Sequence, residues 1–388
     1  MKQDWAIKQL GDVCSIQLGK TPHRKTSRFW DNNKETNNVW LSIADLTHGA
    51  DIFDSKEYVS DLGAENINVT PKGTIMLSFK LTLGRVSFAG KDLLTNEAIA
   101  SLIDLGTEIS KKFLFYYFSY FDWDRASQGD IKVKGRTLNK AKLKVLEIPI
   151  PPIDVQKRIV AKLDECFEAI DKARANVEKN LRKTEELYQS LLFQILYQDS
   201  EKWEKSTLGE SCEFFNGKAH EKAIHTDGNY VVVNSKFISR DGNIKKYTRE
   251  QMFPLFKNDI VMVMSDVPNG KALAKCYLIE KDNTYSLNQR ICAIRSENYI
   301  HKYLFYQLNR HRHLLSFNNG ENQTNLRKND ILNTPLYIPP FDDQEEVVKK
   351  LDEVVSQTKS LESNYQQEMD ALDELKKSIL QKAFNGEL

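Results

Sequence analysis

The chain has 388 residues, 40% hydrophobic and 28% charged, with a net charge of +1. That composition is globular and excludes a disordered chain, and the absence of any run of about 18 apolar residues excludes a membrane span. The length exceeds one ordinary core and predicts two domains of about 150 residues plus connecting elements.

Asp4 and the alternating polar residues around it break any signal-peptide core between Met1 and Leu10, so a cytoplasmic location is expected. Cys14, Cys166, Cys212, Cys276 and Cys292 lie far apart without a C-x-x-C pair. They read as reduced, mostly buried thiols; no metal site and no cofactor is expected. The charge is unevenly spread. Residues 154–198 hold eight basic and eight acidic side chains, and residues 341–388 hold six and twelve, which leaves 41 basic against 34 acidic elsewhere. Two basic blocks therefore alternate with two segments that carry the acidic balance.

In chain order, the first block opens with Trp5, Leu10, Gly11, Cys14, Gly19 and Lys20. A Gly/Pro-containing loop follows, carrying Lys20, Thr21, His23, Arg24, Lys25 and Arg28, where cations are free to meet phosphates, with Trp30 and Asn32 suited to base edges. A short β run at Thr74 to Phe79 precedes Arg85, and an aromatic run, Lys111 to Phe121, has helical spacing and reads as core. Lys132, Lys134, Arg136, Lys140 and Lys142 form a second basic stretch suited to backbone binding.

After Pro151-Pro152, the residues at 160, 163, 167, 170, 174, 177, 181, 184, 188, 191 and 195 alternate in steps of three and four. This predicts a long helix with a coiled-coil-like seam through Val160, Leu163, Phe167, Ile170, Val177 and Leu181. The second block opens with Trp203, Leu208, Gly209, Cys212, Gly217 and Lys218, a constant shift of 198 from the first. β runs at Tyr230 to Val233 and Asp259 to Met264 and an aromatic helix at His301 to Leu308 follow. His311 and His313 flank Arg312, and the three read as an exposed basic helix end. A second long helix after Pro339-Pro340 repeats the seam at Val348, Leu351, Val355, Tyr365, Met369, Leu372 and Ile379.

The ends of the blocks match best. Ile150-Pro151-Pro152-Ile153-Asp154-Val155-Gln156 aligns with Ile338-Pro339-Pro340-Phe341-Asp342-Asp343-Gln344, and that register of 188 persists to Glu186-Leu187 and Ser190 against Glu374-Leu375 and Ser378. Co-linear landmarks in the same order imply duplication. Because both seams sit in one chain, pairing with each other is favoured over homodimerisation.

Reading bases needs bidentate or planar groups, Arg for guanine and Asn or Gln for adenine. The candidates are Arg85, Lys271, Asn234 with Lys236, Gln289 with Arg290, and Asn322-Gln323; Arg327 closes the second block's basic stretch, which begins near Asn318. No phosphate-binding loop, N-P-P-[YF] tetrad, H-E-x-x-H or G-x-S-x-G is present, so no catalytic residue is expected.

Two basic blocks, each closed by Pro-Pro-x3-Gln and a long heptad helix, resemble the specificity subunit of Type I restriction-modification systems. The opening Trp-x5-Gly, the Gly19-Lys20-Thr21-Pro22 turn and Trp40-Leu41-Ser42-Ile43-Ala44-Asp45 add to the resemblance, which covers essentially the whole chain. The second half departs at Ala219-His220, where the first has Thr21-Pro22, and this leaves the shape of its first loop open.

The resemblance implies an α/β fold: two similar mixed α/β target-recognition domains joined by two long antiparallel coiled-coil-like helices with pseudo-two-fold symmetry. The expected domains are 1–150 and 199–338, with spacer helices at 151–198 and 339–388. It also implies a non-catalytic subunit that reads a bipartite double-stranded DNA site. Its helices would set the half-site spacing and dock two modification (methyltransferase) subunits, with restriction/translocase subunits reached through the complex. The rival readings are a standalone DNA methyltransferase, which would bind S-adenosylmethionine alone, and a coiled-coil scaffold, whose blocks would leave the methylated sequence unchanged when exchanged.

Overall fold

The computed structural model describes residues 5–47, 49, 51–127, 131–132, 135–220, 222–267, 270–318 and 320–388, with backbone alone at 131–132 and 135–137. Two compact units emerge, one comprising Met1–Glu178 with Gln366–Leu388, the other Lys179–Tyr365. The division falls within both long helices, so each unit is a globular block plus part of each helix.

In the first unit a five-stranded sheet runs in the order Ser15–Leu18, Ile99–Ile103, Ile75–Ser78, Val86–Ala89, Asp51–Ile52. Ile75, Met76, Leu77 and Val86 are fully buried, as apolar residues covered on both sheet faces must be. A small sheet places Val39–Leu41 between Glu57–Tyr58 and Leu94–Thr95, and a ribbon pairs Ala6–Gln9 with Glu147–Ile150. The aromatic run forms the helix Lys111–Tyr120, which buries Phe113, Leu114, Phe115, Tyr117 and Phe118.

The second unit repeats this plan. Its main sheet runs Glu213–Asn216, Ile291–Arg295, Ile260–Val263, Cys276–Leu278. Its small sheet places Tyr230–Val233 between Tyr247–Thr248 and Tyr285–Leu287, and Glu204–Thr207 pairs with Pro335–Ile338. Among the described residues the first unit's fifth strand has no counterpart in this sheet.

Ile153–Tyr197 and Phe341–Asn385 are helices of 45 residues each, about 67 Å at 1.5 Å per residue. Both begin directly after the Pro-Pro pair, with Asp154 and with Asp342 and Asp343 in the first turn, where carboxylates favour the helix dipole. In the first unit the helices run antiparallel: Arg174 Nη2 meets Asp373 Oδ1 at 2.5 Å and Lys376 lies 3.7 Å from Asp171. In the second unit Leu196 of the first helix shares a core with Val347 and Leu351 of the second.

Leu163, Phe167, Ile170, Val177 and Leu351 are buried, and Val160, Val348, Val355, Tyr365, Met369, Leu372 and Ile379 are half-buried. Leu181 corrects the expected seam: it is 40% exposed. The same stepping is half-buried again at Thr184, Tyr188, Leu191 and Ile195, so the exposure is local to the stretch just past Glu178, where the first unit ends.

The glutamine shared by both Pro-Pro-x3-Gln segments latches block to helix. Gln156, fully buried, accepts from Ser110 N (2.8 Å) and donates to Glu108 O and Pro151 O, both at 2.8 Å. Gln344 does the same with Ile300 N (2.7 Å), Asn298 O (3.1 Å) and Pro339 O (2.9 Å). A second duplicated latch joins Lys112 and Tyr116 to Asp164 (2.8 and 2.6 Å), and Lys302 and Tyr306 to Asp352 (2.6 and 2.7 Å).

Three cysteines, Cys14, Cys276 and Cys292, are buried, and all five are free thiols. Burial pushes the Cys14 and Cys292 thiols up to about 12, which keeps them protonated. Among the described residues no helix is long and apolar enough to cross a membrane.

Candidate nucleic-acid interface

The Gly-Lys pair of each block sits at the junction of two sheets. An ideal Cβ on Gly19 would lie 1.9 Å from Thr95 O, and one on Gly217 would lie 2.1 Å from Asn288 O, so only glycine fits. This approach lets Lys20 N donate to Thr95 O (2.8 Å) and Lys218 N to Leu287 O (3.0 Å). Both lysine side chains emerge exposed, with no carboxylate partner among the described residues.

Beyond Lys20, Thr21 donates to Glu97 (2.5 Å) and Trp40 Nε1 to Lys20 O (3.0 Å). Partial burial opposes ionisation of Glu97, but the Thr21 hydrogen bond and the nearby Lys80 charge hold its carboxyl below the usual range. Arg24 is a bound cation: its guanidinium chelates Glu57 and lies over the rings of Trp30 (4.3 Å) and Trp40 (4.7 Å). Trp30 Nε1 is occupied by His23 O at 3.4 Å, and His23 Nδ1 meets Thr26 Oγ1 at 3.0 Å. Arg24, Lys25, Trp30, Asn32, Lys56 and Tyr58 line a cleft of about 360 Å³. Lys25 and Arg28 are exposed, the latter beside the Phe29 ring.

In the second unit the corresponding loop is anchored differently. His220, fully buried, bridges Lys218 O (2.6 Å) and Ser286 Oγ (2.8 Å). Asn234, Lys236, Lys246, Asn288 and Arg290 converge with Ile224 on a cleft of about 310 Å³. Asn234 Oδ1 caps the short helix Ser235–Ser239 by accepting from Phe237 N (2.9 Å), and Asn288 Oδ1 accepts from Arg290 N (3.3 Å). Lys236, Lys246 and Arg290 have no carboxylate partner among the described residues. Gln289 is exposed beside this cleft.

Arg85 is half-buried and donates to Ile43 O at 3.1 Å, while its own carbonyl accepts from Ser78 N. Lys275 occupies the matching ladder position. Its carbonyl accepts from Val263 N, and its Nζ reaches Ser239 O (3.3 Å) and Asp241 (2.8 Å). Both cations tie the turn after the small-sheet strand to the main sheet. Lys271 instead is exposed, and its carbonyl accepts from Arg310.

The second basic stretch pairs with the strand beyond the main sheet. Lys80–Leu81 ladders with Gly135–Thr137, which ladders with Ile131–Lys132, placing the backbones of Lys132 and Arg136 there. Lys134 lies outside the described residues. In the second unit Ser265–Asp266 pairs with Thr324–Asn325; Gln323 donates to Ser265 Oγ (2.9 Å), while Asn322 and Arg327 are exposed at either side. His311 and His313 are corrected: both are partly buried. His311 caps the helix Arg312–Leu315, and burial, with help from the His313 charge, pulls its pKa down to about 4.

The family model for the Type I restriction modification DNA specificity domain matches residues 2–179 and 200–370, one copy per half. The chain belongs to the Type I restriction modification DNA specificity domain family.

Three specificity-domain relatives illustrate the range. The Type I restriction enzyme MjaIX specificity subunit of Methanocaldococcus jannaschii is 26% identical over 46% of this chain and 42% of its own length. The StySPI specificity subunit of Salmonella potsdam is 24% identical over 65% and 59%, and the EcoBI specificity subunit of Escherichia coli 21% over 99% and 86%. The chain thus spans about half the length of the first two relatives it matches. A solved structure described as underlying complex assembly and conformational transition of the type I R-M system aligns over 100% of this chain and 99% of its own, with a TM-score of 0.75 and 18% identity. The HsdS subunit from Thermoanaerobacter tengcongensis aligns over 100% and 98% with a TM-score of 0.50 and 18% identity. At such identities these two speak to the fold alone.

Sequence reasoning missed Lys56, Glu57, Tyr58, Lys246 and Asn288 as cleft residues. Lys56, Glu57, Tyr58 and Lys246 reach their clefts from strands or turns remote in sequence from the predicted residues, and only Asn288 had an advance signal, as the neighbour of the predicted Gln289 and Arg290.

Proposed function

We propose that this chain is the DNA sequence-specificity subunit of a Type I restriction-modification complex, with residues 1–150 and 199–338 as its two target-recognition domains. Each domain reads one half of a bipartite double-stranded site. The long helices set the half-site spacing and dock two modification subunits, through which restriction/translocase subunits are reached. The observation that carries this reading is duplication of a cation-bearing frame: Lys20 and Lys218 emerge exposed from equivalent Gly-Lys junctions, with no carboxylate partner among the described residues, and each unit holds a cleft lined by cations and amides.

The clefts divide the work of recognition. Lys20, Lys25, Arg28 and Lys218 neutralise phosphates, together with Lys132, Lys134, Arg136 and Arg327; His23 offers phosphate a hydrogen bond, Lys271 reaches a base edge, Thr21 shapes the first loop, and Arg85 holds a reading turn in place. Base edges are met by Asn234, Lys236, Gln289 and Arg290, and by Asn322 and Gln323, in the second domain, while Arg24 presents a guanidinium pre-oriented by Glu57 and two indoles in the first. Two readers on one chain bind a split site with high effective concentration.

The test is a gel shift with the reconstituted modification complex on DNA carrying both half-sites, one half-site or neither. The reading expects tight binding only to the intact pair and a steep fall with salt. Equal binding to all three duplexes would refute it.

A further inference from the structure

Eight described residues other than glycine adopt a positive φ, the left-handed region that side chains rarely enter. Seven have a local reason. Asp104, Asp241, Asn258 and Asn283 are of the types that tolerate it. Lys34 donates to Ser55 O (2.7 Å), Arg310 donates to Lys271 O, and Ala274 is fully buried. The eighth, Leu81, has a φ of 65° and a side chain that is 52% exposed.

Leu81 sits on the loop between two strands of the main sheet, Ile75–Ser78 and Val86–Ala89, and that loop is braced from within. Ser78 Oγ donates to Thr82 O (2.7 Å) and accepts from Arg85 N (2.9 Å), while Gly84 N donates to Ser78 O (3.0 Å). Leu83 packs on the core. Trp123 lies so close to Gly84, also at positive φ, that an ideal Cβ there would come within 2.3 Å of its Cδ1. At position 84 the chain thus uses the residue that the backbone demands. At position 81 it keeps a leucine where glycine or asparagine would relieve the backbone, yet leaves half of that side chain in water.

The surroundings indicate what meets it. Leu81 ladders with Arg136, whose strand pairs with Ile131–Lys132, so the leucine flanks a two-stranded ribbon in the basic stretch. Its neighbour Lys80 holds its ammonium 5.2 Å from the centre of the Phe79 ring. The major groove, about 12 Å wide, admits such a ribbon, and the minor groove, about 6 Å wide, does not. The apolar group that base pairs display in the major groove is the thymine 5-methyl. The corresponding loop of the second unit, between Ile260–Val263 and Cys276–Leu278, also presents an apolar side chain, Val267, which is 63% exposed. Asp266 braces that loop by accepting from Val267 N (2.9 Å), Ala272 N (2.6 Å) and Leu273 N (3.1 Å).

We propose that Leu81 packs against the 5-methyl group of one thymine in the half-site read by the first domain, making it a specificity-determining residue held out by a braced loop. This rests on the proposed reading of the chain as a specificity subunit and deepens it by naming the base group contacted.

The experiment measures binding of the reconstituted modification complex, by fluorescence anisotropy, to duplexes in which each thymine of the first domain's half-site is replaced in turn by deoxyuridine. That replacement removes the methyl alone. Wild type should lose about fourfold in affinity at one position, the worth of one buried methyl. Leu81→Ala and Leu81→Gly should bind the unmodified duplex more weakly and show no further loss with deoxyuridine at that position. Leu81→Gly keeps the positive φ at no steric cost, so it excludes loop distortion as the cause. Val267→Ala, in the other domain, should keep the wild-type deoxyuridine penalty. A half-site without thymine, no penalty at any position in wild type, a penalty that survives in either Leu81 variant, or its loss in Val267→Ala would overturn the contact while leaving the specificity-subunit reading intact. A wild-type complex that bound all sequences equally would overturn both.

Discussion

Gln156 and Gln344, 188 residues apart, make the same three hydrogen bonds from the first turn of a long helix to the block that precedes it. Both side chains are fully buried. A proline pair stiffens the entry, and the glutamine amide then satisfies one backbone donor and two carbonyls that no sheet or helix ladder reaches.

Gln156→Ala should therefore destabilise the first unit by about 2–4 kcal/mol, because three buried backbone groups lose their partner. Gln344→Ala should do the same to the second unit. Calorimetry that resolves the units should show each substitution lowering a different transition; a shift of the same transition by both would contradict the independence of the latches.

Phe384, near the end of the second long helix, packs edge-on against Phe113 and Tyr117 and stacks on Tyr120. Phe384→Ala should cost about 3–5 kcal/mol. Leu181→Ala should stay within about 0.5 kcal/mol, since that side chain faces solvent. Denaturant titration of the two variants checks the contrast, and comparable losses would restore Leu181 to the seam.

The carboxyl of Asp352 lies below the usual range. Partial burial works against this, but the hydrogen bonds from Lys302 and Tyr306, aided by the lysine charge, prevail. A depressed carboxylate contributes stability that is present above its unfolded value, near 3.9, and is lost as pH falls through the folded value. Asp352→Asn should thus be destabilising at pH 6, and its deficit relative to wild type should shrink toward pH 3. A deficit that held constant across that window would rule out the charged latch.

The duplication, the long helices and the aromatic core helices were legible because they rest on local signals: heptad spacing, proline pairs and an apolar stripe repeated in order. The sheets were legible only as isolated runs such as Tyr230–Val233, because strands of two to five residues carry little pattern and their order is set by long-range pairing. The same holds for the clefts. Arg85 reads as a free base-reading group in sequence, whereas a carbonyl 42 residues away, that of Ile43, engages it. Arg24 looks like one of several loop cations until Glu57 and two tryptophans surround it. Leu181 was misplaced because a heptad template carries no signal of where the first unit ends, three residues earlier at Glu178.

Within the proposed function, Lys20→Ala and Lys218→Ala should weaken binding uniformly across sequences, each reducing the log–log salt slope by about 1. Arg290→Ala should relax base preference in one half-site by about 1–3 kcal/mol, and Arg24→Ala in the other. Binding series with single-base variants of each half-site separate the two classes. A sequence-dependent effect of Lys20→Ala, or relaxation of the same half-site by both arginine variants, would contradict the assignment.

The most direct measurement is methylation mapping by long-read sequencing of a host carrying the whole system, before and after residues 1–150 are replaced by the corresponding block of another family member. The account predicts that one half of the methylated sequence changes while the other half and the gap are kept. A methylated sequence that stayed the same, or changed in both halves, would contradict it.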